Sequence, residues 1–341
     1  MNKKIAICIT VIGIVLVGGL IIYQQKQPQV PKEISKLYPG KIIIGTETWP
    51  GYLPLYVAQD KGYFKDAGLD VTISLYKALG DLSRDYVAGK MQGRANLTLD
   101  AVNEHLKGLD HKAVLVIDYS NGSDAIVASD KIKSVRDFKG KKIAYEPGTL
   151  EEFFVAWALK ENGLSLQDVI SVTGNPEETV QLLETGKVDA AVSHEPFLSQ
   201  VIKSSGIHRV YSSTDAPGLI TDILTFQTDF IKEYPETVTA LIDAYFRGLD
   251  FWKENPNEAN AILAKDFGDT PEGIAKQLEG ITMLDKLDNR TALTFALGLQ
   301  SLYGNMRSIG KFIQKHQRKN GIKEVDTDNL IEPRFIRKLL R

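Results

Sequence analysis

From Lys41 onward, short β-branched runs alternate with amphipathic stretches of helical period. That alternation confines the chain to an α/β fold with largely parallel strands. A first series predicts strands at Lys41–Thr46, Leu69–Leu75 and Ala95–Thr98. Helices are expected between them at Leu53–Ala67, closed by Gly68, and near Ala78–Ala88. A second series predicts strands at Lys142–Glu146, Val169–Val172 and Ala190–Ser193, with helices at Leu150–Asn162 and Pro176–Thr185. In both series a helix meets a glycine (Gly89, Gly186), then a strand, then a polar turn. Two similar lobes are therefore expected, in keeping with a length of 341 residues, which exceeds a typical single core.

In open α/β sheets ligands bind beyond the carboxyl ends of strands. That rule selects four turns: Glu47–Tyr52, Leu99–Asp100, Pro147–Thr149 and His194–Glu195. After the second series, Ile207–Ser212 and Ile220–Thr228 read as strands, and Ala216-Pro217-Gly218 between them reads as a crossing back to the first lobe. The remainder reads as helical. Val238, Leu241, Ile242, Tyr245, Phe246, Leu249 and Trp252 keep i, i+3, i+4 spacing, so these aromatics belong to core. Asn255-Pro256 with Glu258 is expected to cap the next helix, and Thr270-Pro271 with Glu272 to start another.

At the N-terminus, Lys3 and Lys4 precede Ile5–Tyr23, a run of 19 residues without a charge. A spanning helix needs about 20 apolar residues and a signal core only about 7–15. Residues 1–25 are expected to be an uncleaved anchor, with a cleaved signal as the alternative, and residues 26–40 a linker. Either way the remainder is exported. Cys8, the single cysteine, lies near the start of the run, too early for a lipoprotein signal. With one Cys and five His, neither a disulfide framework nor a Cys-based zinc site is available. A formal charge of −2 weighs against nucleic acid as a partner.

The stretch Gly45-Thr46-Glu47-Thr48-Trp49-Pro50-Gly51-Tyr52-Leu53-Pro54-Leu55-Tyr56-Val57-Ala58, followed by Lys61-Gly62-Tyr63-Phe64 and Ala67-Gly68-Leu69-Asp70-Val71, resembles the nitrate/sulfonate/taurine-type substrate-binding proteins, grouped with binders of thiamine-pyrimidine precursors. Asp118–Val127, Asp137–Ala144 and Val188–Pro196 continue the likeness in order, over roughly Lys41 to Lys253. The resemblance implies a type II periplasmic-binding fold. Lobe one would be discontinuous (41–124 and 219–341) and lobe two would span 125–218. It implies a monomeric solute-binding component of an ABC importer, with a membrane permease as partner and no cofactor. A sensor input and a pyrimidine-synthase-like enzyme on the same fold are the rival readings. Catalysis has only His194–Glu195 as a visible acid–base pair.

Candidate ligand contacts follow from the strand ends. Trp49 and Tyr52 flank Pro50-Gly51 and offer aromatic faces, or else pack beneath the turn. Thr98 and Asp100 open a helix, where capping and ligand contact are both open to them. Tyr119 and Asp124 bracket the first crossing, where Asp124 caps a turn or pairs with a cation. Thr149 stands at a helix start with Glu152 at capping-box spacing, and Glu151 and Glu152 would repel an anion there. His194 and Glu195 precede Pro196, a residue suited to the first helical position, and Asp222 follows the return crossing. Glu47, Asp100, Asp124, Glu195 and Asp222 are acidic, and no Lys or Arg stands among the favoured positions. A neutral or cationic, ring-containing solute is the expected guest.

Overall fold

The computed structural model describes residues 36–204, 206–316 and 326–341, and the expected anchor or signal at 1–25 lies outside them. Among the described residues, no helix is long and apolar enough to cross a membrane.

Two sheets carry the chain between Leu37 and Arg341. The first is built from β1 (Lys41–Thr46), β2 (Asp70–Leu75), β3 (Gly93–Leu97), β4 (His111–Ser120), β10 (Thr221–Gln227) and β11 (Ile281–Met283), in the order β11-β4-β10-β3-β1-β2. The second is built from β5 (Asp124–Ser129), β6 (Lys142–Tyr145), β7 (Ile170–Thr173), β8 (Ala190–His194) and β9 (Ile207–Ser212), in the order β7-β6-β8-β5-β9. The sheets share one plan. β1 lies between parallel β2 and β3, and β6 lies between parallel β7 and β8. An antiparallel strand then follows each trio, β10 beside β3 and β5 beside β8. The near-continuous apolar runs of β1, β4 and β5 fit strands covered on both faces.

The chain passes from the first sheet to the second through Asn121–Ser123 and returns between Ser212 and Thr221. The two connections touch: the hydroxyls of Ser120 and Ser213 are 2.8 Å apart, and the amide of Gly122 donates to Ser213 Oγ at 2.6 Å.

The labelled helices are α1 (Leu53–Asp60), α2 (Thr98–Leu106), α3 (Leu150–Glu161), α4 (Phe197–Val201), α5 (Pro235–Glu254) and α6 (Leu302–His316). The stripe Val238, Leu241, Ile242, Tyr245, Phe246 and Leu249 of α5 is buried. Three expectations need correction. The helix expected over Leu53–Ala67 is two, because Gly62 takes a left-handed φ of 74° and ends the first after Asp60. Asn255 does not cap the helix it precedes; its Nδ2 donates to Phe251 O at 3.4 Å. Pro196 stands just before α4 rather than within its first turn. Thr270 does cap, accepting from the amide of Gly273 at 3.0 Å.

Candidate functional site

All four strand-end turns converge on one cavity of about 150 Å³. Its lining includes Glu47, Thr48 and Trp49 after β1, Asp100 after β3, Glu146, Thr149, Leu150 and Glu151 after β6, and His194 at the end of β8. The crossings add Asp124, Ile220 and Asp222, and Leu97, Phe154 and Val192 supply further apolar wall. Six carboxylates and one imidazole face this space, with no Lys or Arg among the lining residues.

On the side of the first sheet, burial pushes the Glu47 carboxyl up to about 8, and Asp100 and Asp222 push it the same way against the pull of Arg94. Asp100 sits in the first turn of α2 and accepts from Arg94 Nη2 at 3.2 Å. Arg94 lies inside β3, fully buried, and also pairs with Glu104. Burial works against its charge, yet Asp100, Glu104 and Glu47 together hold its pKa above the ordinary value. His111 lies beside Glu104 and is held neutral near pH 7, burial pushing it down to about 4. Asp222 is buried on β10, where its Oδ1 accepts from the Tyr52 hydroxyl at 2.5 Å. Burial and the nearby Asp118 push its carboxyl well above the usual range, and the Tyr52 hydroxyl opposes them.

Trp49 is oriented from behind. Its Nε1 donates to the buried Asp118 of β4 at 3.2 Å, with the second carboxylate oxygen at 3.4 Å. Gly51 makes room for that contact, since a Cβ there would stand 2.0 Å from Asp118 Oδ2 and 2.6 Å from Trp49 Nε1.

On the side of the second sheet, Asp124 opens β5 and pairs in register with His194 of β8. Its Oδ2 is buried with no hydrogen-bond partner among the described residues. Burial raises its carboxyl, while His194 and a hydrogen bond from Ser120 hold it down. Glu151 is pushed up to about 8 by burial, although its Oε2 accepts the amide of Glu146 at 2.7 Å. His194 donates Nδ1–H to the backbone oxygen of Glu195 at 2.8 Å, because a carbonyl can only accept. The start of α3 is satisfied in part from within. Thr149 Oγ1 accepts from the Glu151 amide at 3.2 Å, and Glu152 takes the amide of Gly148 at 2.8 Å. Those two acceptors occupy the Gly148 and Glu151 amides, which an oxyanion would otherwise use there.

Trp49, Asp100, Asp124, Thr149, His194 and Asp222 thus share the cavity. Four expected contacts lie outside its lining. Tyr52 is fully buried and supports Asp222 instead of presenting a ring. Thr98 is buried as the first residue of α2, and neither it nor Asp100 caps that helix. Tyr119 turns away and donates to Gln300 O at 2.6 Å. Glu195 is spent on α4, accepting from the Ser199 amide at 3.2 Å and its hydroxyl at 2.8 Å.

Residues 49–259, more than half of the chain, match the family model described as NMT1/THI5 like. The chain belongs to the NMT1/THI5-like family. A Brucella abortus protein whose name records binding and no ligand is 27% identical over 220 residues, covering 61% of this chain and 66% of its own. The 4-amino-5-hydroxymethyl-2-methylpyrimidine phosphate synthase of Candida albicans is 25% identical over 236 residues, covering 64% and 68%. The chain thus spans about two thirds of the length of these curated relatives. The crystal structure of the periplasmic aliphatic sulphonate binding protein SsuA from Escherichia coli superposes with a TM-score of 0.73 at 17% identity, covering 86% of this chain and 98% of that one. That likeness establishes the periplasmic-binding-protein fold.

In this NMT1/THI5-like chain, strand-end reasoning missed Glu146 and Glu151 as lining residues, and Arg94 and Asp118 as supports behind them. Two of these carry a signal in the sequence. Asp118 is the lone acid in the run Ala113–Tyr119, and Arg94 is the lone base in Gly93–Leu97. A charge inside a buried strand has to find a partner. Glu151 carries no such mark, because an acid in a first helical turn is commonplace.

Proposed function

We propose that this NMT1/THI5-like protein is the solute-binding component of an ABC importer, working outside the cytoplasmic membrane, and that it closes by hinge bending on a small, ring-containing organic cation. The observation that carries the reading is the cavity between the two sheets, lined by six carboxylates and no Lys or Arg. At an effective dielectric of about 20, a like charge about 4 Å away costs about 4 kcal/mol, so an anionic solute would meet repulsion wherever these carboxyls are ionised. Trp49 and Phe154 supply aromatic surface to the same cavity. A cavity of about 150 Å³ accepts a guest the size of one benzene ring. The two adjoining connections, Asn121–Ser123 and the segment after Ser212, are where we place the hinge, with lobe one at 41–124 and 219–341 and lobe two at 125–218. The apolar run Ile5–Tyr23 would export the protein and tether it beside its permease.

Thermal-shift measurements on the full-length chain with amines, pyrimidines, sulfonates and nitrate test the reading. A ligand present at about 100 times its Kd adds about 2.7 kcal/mol of stability. Ring-bearing amines should raise the melting temperature; a response confined to sulfonates and nitrate overturns the assignment. The Candida albicans synthase relative favours one other reading, turnover on the same fold. Recovery of the bound solute chemically unchanged after prolonged incubation decides against it.

A further inference from the structure

With Glu47 and Glu151 ionised, above about pH 8, a single ammonium ion would leave most of this cavity's charge unanswered. Toward the first sheet stand Glu47, Asp100 and Asp222, countered by Arg94, which is shared with Glu104, and by Lys107 acting on Asp100. Toward the second sheet stand Asp124, Glu146 and Glu151, beside His194, whose Nδ1–H is committed to Glu195 O. Electrostatic contact runs in sequence across the space: Glu47 senses Asp100 and Asp222, Asp222 senses Asp124, and Asp124 senses Glu151. Asp124 links Asp222 to Glu151 in that row. It is 5% exposed, faces the cavity, and keeps Oδ2 without a hydrogen-bond partner among the described residues. Stability alone gives no reason to bury an acceptor unpaired, because each such group costs about 1–3 kcal/mol. The same lining also carries the apolar Trp49, Phe154, Val192 and Ile220.

Resting on the solute-binding reading above, we propose that the solute carries two cationic centres. One meets Glu47, Asp100 and Asp222, the other meets Asp124 and Glu151, and an apolar middle lies between Trp49 and Phe154. This class comprises compact diamines and single rings bearing two basic groups. Such a guest gives the unpaired Asp124 oxygen a donor and relieves repulsion along the row, neither of which one charge at one wall achieves.

Isothermal titration of the full-length chain at pH 8 with benzylamine, 1,4-bis(aminomethyl)benzene and benzenesulfonate tests the proposal. The bis-amine should bind at least tenfold more tightly than benzylamine. In Asp124→Asn the two amine affinities should converge, and the empty protein should melt at a higher temperature than the wild type because crowding is relieved. Glu151→Gln should act in the same direction, and it keeps the test available if the first variant fails to fold. Equal affinity of the wild type for the two amines overturns the two-charge inference and leaves the cation reading standing. Binding of benzenesulfonate alone overturns both.

Discussion

At the level of single residues, the site is an arrangement of carboxylates held apart by hydroxyl and indole donors. Tyr52 shows how a residue outside the cavity shapes it. Its hydroxyl favours the charged form of Asp222, which burial and Asp118 otherwise oppose. Tyr52→Phe should lower stability by about 1–2 kcal/mol, the ordinary net worth of such a bond. It should also weaken cation binding at pH 7, because Asp222 then holds its proton more firmly. Urea melts paired with amine titrations check both; unchanged amine affinity would show that Asp222 plays no part in binding. Trp49→Phe keeps an aromatic face but removes the donor to Asp118. The expected result is a loss of about 1–3 kcal/mol of stability from the orphaned carboxylate, together with weaker binding of ring-bearing ligands. Fluorescence-monitored unfolding and titration measure the two effects separately.

At the level of elements, β4 is the strand whose second edge needs explaining. One side pairs along its length with β10, while β11 covers only Asp118–Ser120 on the other. Side chains and loops finish the job. Asn289 mimics a neighbouring strand, accepting from the Val116 amide at 2.8 Å and donating to the Val116 carbonyl at 2.9 Å. Further along, the Glu332 amide donates to Ala113 O at 2.9 Å. This cover matters to the site because β4 carries Asp118, the anchor of Trp49. Asn289→Ala leaves a buried donor and a buried acceptor unpaired, which predicts a loss of about 2–4 kcal/mol. A fall in the denaturation midpoint of corresponding size, with the slope retained, is the expected outcome.

For the whole molecule, crowded carboxylates make stability depend on pH in an unusual direction. Glu47 and Glu151 each titrate at about 8 in the folded protein, against an ordinary 4.5. Between those values the folded state holds protons that the unfolded chain has released. Stability therefore falls as pH rises through that window. Asp100, Asp222 and Arg94 face Glu47, and Glu146 and Asp124 face Glu151, so the loss is shared across both walls. The ligand-free protein should lose several degrees of melting temperature between about pH 5 and about pH 8. A bound cation should flatten that decline, because it favours the charged carboxylates, and its affinity should rise over the same range. A melting temperature that climbs with pH in the absence of ligand would contradict the protonation of these groups.

The alternation of strand and helix, the repeat of its plan and the buried stripe of α5 were legible from the chain alone, since each depends on neighbours within a few residues. So were the four strand-end turns and their acidic character. The strand His111–Ser120 escaped the reading, because an unbroken apolar run has no alternating period to mark it. Tertiary structure alone decided which side chains enter the cavity. Tyr52 and Glu195 sit in the right turns, yet one is drawn to Asp222 and the other to Ser199. Only tertiary structure could set Glu47 against Asp222 and Glu151 against Asp124, because Coulomb energy depends on distance through space and the groups are far apart along the chain.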